Sequence, residues 1–190
     1  MRMPPRKARS AKPAKVPVIM QMEALECGAA SLAMVLAHFG KWVPIEKVRS
    51  DCGVSRDGTT AGQIYRSAQS YGLTVRANRY SVGQLREKCA FPAILHWNFN
   101  HFVVLRGFRG DRAEINDPAQ GAVSIPLPEF DEAYTGVCLE FAPGPEFSRG
   151  GRPRSVMDFA KSRLKGTLVP VLFVMVTCLL TAVTGILQPA

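Results

Sequence analysis

His101-Phe102-Val103-Val104-Leu105-Arg106-Gly107-Phe108-Arg109-Gly110-Asp111-Arg112-Ala113-Glu114-Ile115-Asn116-Asp117 is the stretch that decides the fold. Aromatic and β-branched residues fill Phe102–Phe108, a second short run covers Arg112–Asn116, and Arg109-Gly110-Asp111 between them reads as a hairpin turn. Working outward, Leu73–Tyr80, Phe91–Trp97 and Ala122–Ile125 are further short β-rich runs, separated by Gly, Pro, Asn and Asp. Upstream the pattern is helical. Glu26–Phe39 carries Ala and Leu and stops at Gly40, Ile45–Cys52 follows, and Thr60–Tyr71 is opened by cap candidates Thr59 and Thr60 and closed by Gly72. Helices first and strands second predict an α+β domain with an antiparallel sheet. The sequence contains no internal repeat.

Charge is divided unevenly. The 190 residues carry a formal net charge of +9, but Met1–Lys15 holds six basic residues and no acidic one, and Arg149–Lys165 holds six basic residues and Asp158. Val16–Ser148 has 12 basic and 14 acidic residues, so its middle is slightly acidic and offers no continuous phosphate-binding surface. Nucleic acid is excluded as the expected partner. Residues 1–15 read as a basic, disordered tail, 16–142 as the domain, and 143–154 as a Pro/Gly/Arg linker.

The end of the chain is different in kind. Leu168–Leu187 is an uncharged 20-residue run within the predicted helix 167–188, and as a helix it rises about 30 Å, the thickness of a bilayer's hydrocarbon core. It reads as a transmembrane helix. Ser155–Lys165 before it is expected to form a short amphipathic elbow in the interface. Arg149, Arg152, Arg154, Lys161, Arg163 and Lys165 precede the span, so the positive-inside rule places the domain in the cytosol. Five cysteines, odd in number and without a CxxC pair, fit reduced cytosolic thiols rather than a disulfide framework or a zinc site.

Cys27 is the residue with most chemistry in prospect. It opens a predicted helix between small residues, where unpaired N–H groups and about half a positive charge favour a reactive thiolate. A lone cysteine is more often a small buried hydrophobe. The company it keeps argues otherwise. Gln21 lies six residues upstream, from where a side-chain amide can join the Cys27 backbone N–H in an oxyanion hole. A thiol nucleophile needs a base, and the base needs an orienting group. Pairing about the 109–111 turn brings His101 and Asp117 to the same end of adjacent strands, where a carboxylate can hold the imidazole if both side chains share a face. Neither His38, at a helix end, nor His96, in an apolar strand beside Trp97, has such neighbours.

Gln21-Met22-Glu23-Ala24-Leu25-Glu26-Cys27-Gly28-Ala29-Ala30-Ser31-Leu32, Cys52-Gly53-Val54-Ser55-Arg56-Asp57-Gly58, His101-Phe102-Val103-Val104-Leu105 and Asn116-Asp117-Pro118-Ala119 together resemble the bacteriocin-processing cysteine peptidase domain of peptidase-containing ABC exporters. The resemblance covers roughly Val16–Phe141. It implies a papain-like fold with Cys27 as nucleophile, His101 as general base and acid, Asp117 orienting His101, and Gln21 in the oxyanion hole. It implies a substrate too, a ribosomally made precursor peptide cut after a double-glycine motif ending its leader. The peptidase needs no cofactor in this reading, and ATP with Mg belongs to a nucleotide-binding domain outside these residues. The other expected partners are the membrane, the transmembrane and ATPase parts of an exporter, and a second copy in the full transporter. The bacterial inner membrane is the expected location. No GxxxxGK[ST] loop occurs, so the sequence reads either as the N-terminal part of such an exporter or as a free-standing membrane-tethered peptidase. The rival reading is a substrate-docking domain without catalysis, as in relatives that lack the nucleophile.

Overall fold

The computed structural model describes residues 12–56, 58–153 and 169–182. Two compact units divide the chain, Met1–Gly151 and Arg152–Ala190. The first opens with a 3-10 turn at Ala24–Glu26 that runs directly into α1 (Cys27–His38), followed by α2 (Ile45–Asp51) and α3 (Ala61–Ser70). Then come β1 (Leu73–Arg79), α4 (Val82–Lys88), β2 (Ala93–Trp97), β3 (His101–Arg109), β4 (Arg112–Asp117), β5 (Gly121–Pro126), α5 (Leu127–Ala133) and β6 (Tyr134–Pro143).

The α+β expectation holds, with helices first and an antiparallel sheet after. Six strands lie in the order β1-β6-β2-β3-β4-β5, every neighbouring pair antiparallel. Three elements were not expected. α4 begins at a capping box, Ser81 Oγ accepting from Gln84 N while Gln84 Oε1 accepts from Ser81 N, a signal present in the sequence as S-x-x-Q. α5 and β6 lie in a stretch where apolar and acidic residues mix, and β6 finds its place only by insertion between β1 and β2.

Both faces of the sheet are covered, which is why β2 and β3 read as continuous apolar runs rather than alternating ones. Ile94, Phe102, Val104, Leu139 and Phe141 face the core beneath α1 to α3, while Ala93, Leu95, Val103, Leu105 and Cys138 face the core shared with Leu85 of α4 and Phe130 of α5. α1 is buried from Cys27 to Ala37, so it is a central helix with no solvent stripe. Its small residues permit close approach. A Cβ at Gly28 would sit 3.0 Å from both Ile64 Cδ1 and Thr59 Cβ, so the N-terminus of α1 meets the start of α3 without room to spare.

The unit reaches beyond the expected domain on both sides. Residues 12–15, read as tail, are in contact with it: Ala14 N donates to Arg106 O at 2.8 Å, and His38 Nδ1 bonds Lys15 O at 2.7 Å. The expected linker is likewise strapped down as far as Gly151, because Phe147 packs edge-on against Phe39 and Trp42 N donates to Gly150 O. An aromatic side chain inside a Pro/Gly/Arg stretch is the physical reason it does not act as a spacer.

In the second unit residues 169–182 are helical. Thr177 and Thr181 return their hydroxyls to carbonyls of their own helix, Phe173 O and Thr177 O, and so present apolar surface outward. Among the described residues no helix is long and apolar enough to cross a membrane. The ends of the predicted span, the elbow at 155–165 and the tail at 1–11 lie outside the described residues.

Candidate active site

Alternation alone does not say whether His101 and Asp117 share a face; a single bulge decides it. From the Gly110-Asp111 turn the pairing runs Arg109↔Arg112, Phe108↔Ala113, Gly107↔Glu114, then shifts by one to Leu105↔Ile115 and Val104↔Asn116. The extra residue sits at Arg106–Gly107, where Gly107 takes a φ of +147° and a Cβ would come within 3.2 Å of Pro13 Cα. Without the shift Asp117 would oppose Val104 and point to the opposite face from His101; with it, Asp117 falls opposite Val103, on the face His101 shares. His101 Nε2 and Asp117 Oδ1 are accordingly 2.8 Å apart.

Asp117 is a preorganised acceptor. Its Oδ1 also takes the Ala119 N–H at 2.8 Å, and Gln120 N donates to the Asp117 carbonyl, closing a tight turn around the carboxylate. Burial raises the Asp117 pKa, but the bonds from His101 and Ala119 outweigh it and hold the carboxyl below its ordinary value. At His101 burial works to lower the pKa, yet bonds to Asp117 and to the Cys27 thiol prevail and push the imidazole up to about 9. Since Nε2 is committed to Asp117, Nδ1 is the ring nitrogen left for the thiol.

Cys27 reaches this pair from the other layer. It is the first residue of α1, 5% exposed, and Ser31 one turn later anchors the helix to β3 through Ser31 Oγ donating to Phe102 O at 3.2 Å. Phe102 is the neighbour of His101, so this one bond sets the helix against the strand beside the imidazole. Gln21 arrives by a separate tether: its backbone N–H donates to Pro118 O at 2.9 Å, next to Asp117. Its Oε1 is buried and has no hydrogen-bond partner among the described residues. The structure therefore joins His101 to Asp117 by a hydrogen bond, sets the Cys27 thiol close enough to influence the imidazole, and ties Gln21 to the loop that carries Asp117.

Three residues that lie beside the candidate site had no role in the sequence analysis. Trp97 pairs directly with His101 in the β2–β3 register and lines, with Asp117 and Gln120, an open cavity of about 750 Å³. Neither Cys27 nor His101 lines that cavity, so it is not the place where a reacting carbonyl would sit. Glu26 and Arg49 form a clamp on the 21–26 segment. A carboxylate immediately before a candidate nucleophile was the available signal.

Metal-ligand chemistry has one candidate among the described residues. Cys89, Cys138 and Glu140 hold their ligand atoms within 4.8 Å of one another. Glu140 Oε1 already accepts from Asn78 Nδ2, and the two thiols contact each other at 3.5 Å. That mutual contact, with burial, pushes the Cys89 thiol up, which opposes the thiolate a metal needs. The trio reads as a satisfied buried cluster.

The peptidase C39 family model matches residues 15–146. The chain belongs to the peptidase C39 family. It is a family of cysteine peptidases, and the match spans every element from α1 to β6. Among curated proteins the chain is 41% identical over 133 residues to the colicin V secretion/processing ATP-binding protein CvaB of Escherichia coli, covering 70% of this chain and 19% of that protein. It is 32% identical over 135 residues to the lactococcin-G-processing and transport ATP-binding protein LagD of Lactococcus lactis, again covering 19% of the relative. The chain thus spans about a fifth of the length of these relatives. Among solved structures, a double glycine motif protease from an AMS/PCAT transporter in complex with the leader peptide is 62% identical, with a TM-score of 0.68 over 69% of this chain and 94% of that one. The peptidase domain of Streptococcus ComA is 25% identical with a TM-score of 0.64, covering 68% of this chain and 98% of that one.

Proposed function

We propose that this C39 peptidase domain is a cysteine endopeptidase that removes the leader of a ribosomally made precursor peptide after a Gly-Gly motif, in the service of an ABC exporter. The observation that carries the reading is the His101–Asp117 hydrogen bond with the Cys27 thiol beside the imidazole, at the first turn of a buried helix. Relatives named for bacteriocin processing and transport, and a 62% identical structure bound to a leader peptide, supply the substrate class.

In this mechanism His101 Nδ1 takes the proton from Cys27 Sγ, and the thiolate attacks the carbonyl carbon of the second glycine. Charge that develops on the carbonyl oxygen is met by the Cys27 backbone N–H at the helix start and by the Gln21 amide. Collapse of the tetrahedral intermediate breaks the C–N bond while His101 returns its proton to the leaving amine. The acyl-enzyme so formed is a thioester, and a water deprotonated by His101 hydrolyses it, releasing the leader carboxylate and restoring the thiol. Asp117 holds the imidazole in the tautomer that turns Nδ1 to the sulfur and stabilises the imidazolium. A Gly-Gly requirement corresponds to a cleft too narrow for a Cβ next to the scissile bond.

The remainder of the proposal concerns the larger assembly. The apolar helix at 169–182 is the core of a first transmembrane helix, and the basic residues before it keep the peptidase on the cytosolic face of the bacterial inner membrane. The transporter works as a homodimer whose ATP and Mg sit in a nucleotide-binding domain, while the peptidase itself uses no cofactor.

The test is mass-spectrometric cleavage of a leader peptide ending in Gly-Gly and continued by cargo residues, using the full chain in detergent beside its Cys27→Ala variant. Cleavage after the second glycine by wild type alone is the expected result. Binding without cleavage by either protein would replace this reading with a docking domain.

A further inference from the structure

The segment between Gln21 and Cys27 has to hold two groups in register, and apolar packing does not do it. Met22 is 79% exposed and Leu25 is 40% exposed, so neither anchors the loop. Glu26 does the opposite of what its charge suggests. It is 4% exposed, and its carboxylate turns back on its own chain. Glu26 Oε2 accepts from Met22 N at 2.9 Å and from Glu23 N at 3.1 Å, while Glu26 Oε1 accepts from Arg49 Nη1 at 2.9 Å. Arg49 reaches from α2 and closes the ring, its Nη2 donating to Glu23 Oε2 at 2.9 Å. The other end of the segment is fixed where Gln21 N donates to Pro118 O.

We propose that Glu26, held by Arg49, is a positioning residue that sets the Gln21 amide relative to the Cys27 thiol; the inference rests on the peptidase reading above. Burying a carboxylate is costly and an ion pair at this depth is a poor source of stability, so its use here calls for a geometric return. The geometry supplies one. Two backbone N–H groups received by one carboxylate oxygen fix the peptide planes at residues 22 and 23, and the plane that follows Gln21 is thereby fixed too. An oxyanion donor must lie within a few tenths of an ångström of where charge develops, and displacement of about 1 Å costs on the order of a hundredfold in rate. Arg49 carries the second half of the logic: without its charge a carboxylate one residue from the sulfur would oppose the thiolate.

The experiment is steady-state kinetics of the full chain on the Gly-Gly leader peptide for wild type, Glu26→Gln, Arg49→Met, Gln21→Ala and the double variant Glu26→Gln/Gln21→Ala. Glu26→Gln lowers kcat by about 10- to 100-fold with KM held within about twofold, since the loss is confined to the transition state. In the Gln21→Ala background the same substitution costs no more than about twofold, because the group it positions is gone. Arg49→Met, on a side chain 41% exposed and tolerant of replacement, lowers kcat by about 3- to 10-fold and keeps the proposal testable if Glu26→Gln does not fold. Unchanged kcat in both single variants, or a Glu26→Gln loss as large without Gln21 as with it, overturns the clamp. If wild type leaves the peptide intact, the peptidase reading falls and the clamp falls with it; if wild type cleaves and the variants match it, only the clamp falls.

Discussion

Cys27 and Cys89 are hidden from solvent to nearly the same degree, 5% and 4% exposed, and nothing about their burial separates them. Their neighbours do. Cys89 looks at a second thiol, Cys138, across 3.5 Å in a core of Leu85, Leu95 and Phe130, and both contact and burial favour its protonated form. Cys27 looks at an imidazole that a buried carboxylate holds from behind, and it sits where a helix leaves N–H groups unpaired. The lesson is that a base and a helix start, rather than access to solvent, make a cysteine a candidate nucleophile. The sharpest way to break that comparison is to truncate each thiol in turn. Cys27→Ala abolishes leader cleavage, a loss of at least about a thousandfold, while Cys138→Ala keeps kcat/KM within about twofold, both read by mass spectrometry of the peptide products. Equal losses in the two variants would mean that the site is elsewhere.

The next test acts on the carboxylate that distinguishes the two sites. Asp117→Asn retains a partner for the imidazole and the backbone turn at Ala119, but it stabilises the imidazolium less and permits the wrong tautomer. A loss of about a hundredfold in kcat with KM little changed is expected, smaller than removal of the thiol itself. Unchanged turnover would reduce Asp117 to a turn residue.

Chemistry without substrate gives a third contrast. Iodoacetamide at pH 7, followed by peptide mapping, modifies Cys27 at least about tenfold faster than Cys89 or Cys138, and His101→Ala removes that advantage. Comparable rates at all three buried thiols would show that His101 does not activate Cys27.

How much of this was legible beforehand follows from which interactions are local. α1, α2, α3 and the hairpin were readable because their signals lie within the element: Gly40 after α1, Thr60 capping α3 through Gln63, a two-residue turn at Gly110-Asp111. β6 was not, since nothing in Tyr134–Pro143 announces that it will enter between β1 and β2, more than 30 residues away in sequence. Cys27, His101, Asp117 and Gln21 could be named as candidates from residue type and spacing. The face that His101 and Asp117 share could not, because it depends on the one-residue bulge at Arg106–Gly107, and a bulge is a choice between registers made by the packed sheet. Glu26 was passed over for a similar reason: its carboxylate acts through Arg49, 23 residues later, and its burial appears only once α2 packs beside the 21–26 turn.

The smallest expected effect is on stability, and its sign separates the site from the rest of the fold. The folded imidazole of His101 stands at about 9, above the unfolded value of 6.5, so folding favours its protonated form. The stabilisation it brings is fully present below pH 6.5 and is lost as pH rises through about 9. Asp117 runs the other way, its depressed value giving stability that is present above its unfolded value of 3.8 and lost as pH falls below it. Between these limits the ion pair is intact, and the melting temperature of wild type should exceed that of His101→Gln by about 3–6 °C near pH 6, an advantage that shrinks toward pH 9. Cys138→Ala carries no such pH signature across this window, because the Cys89 thiol is already pushed toward its neutral form. A His101→Gln deficit that stays constant from pH 6 to pH 9 would mean that the imidazole is neutral in the folded protein. kcat/KM would then show no descending limb near pH 9, whereas a protonated imidazole paired with Asp117 demands one.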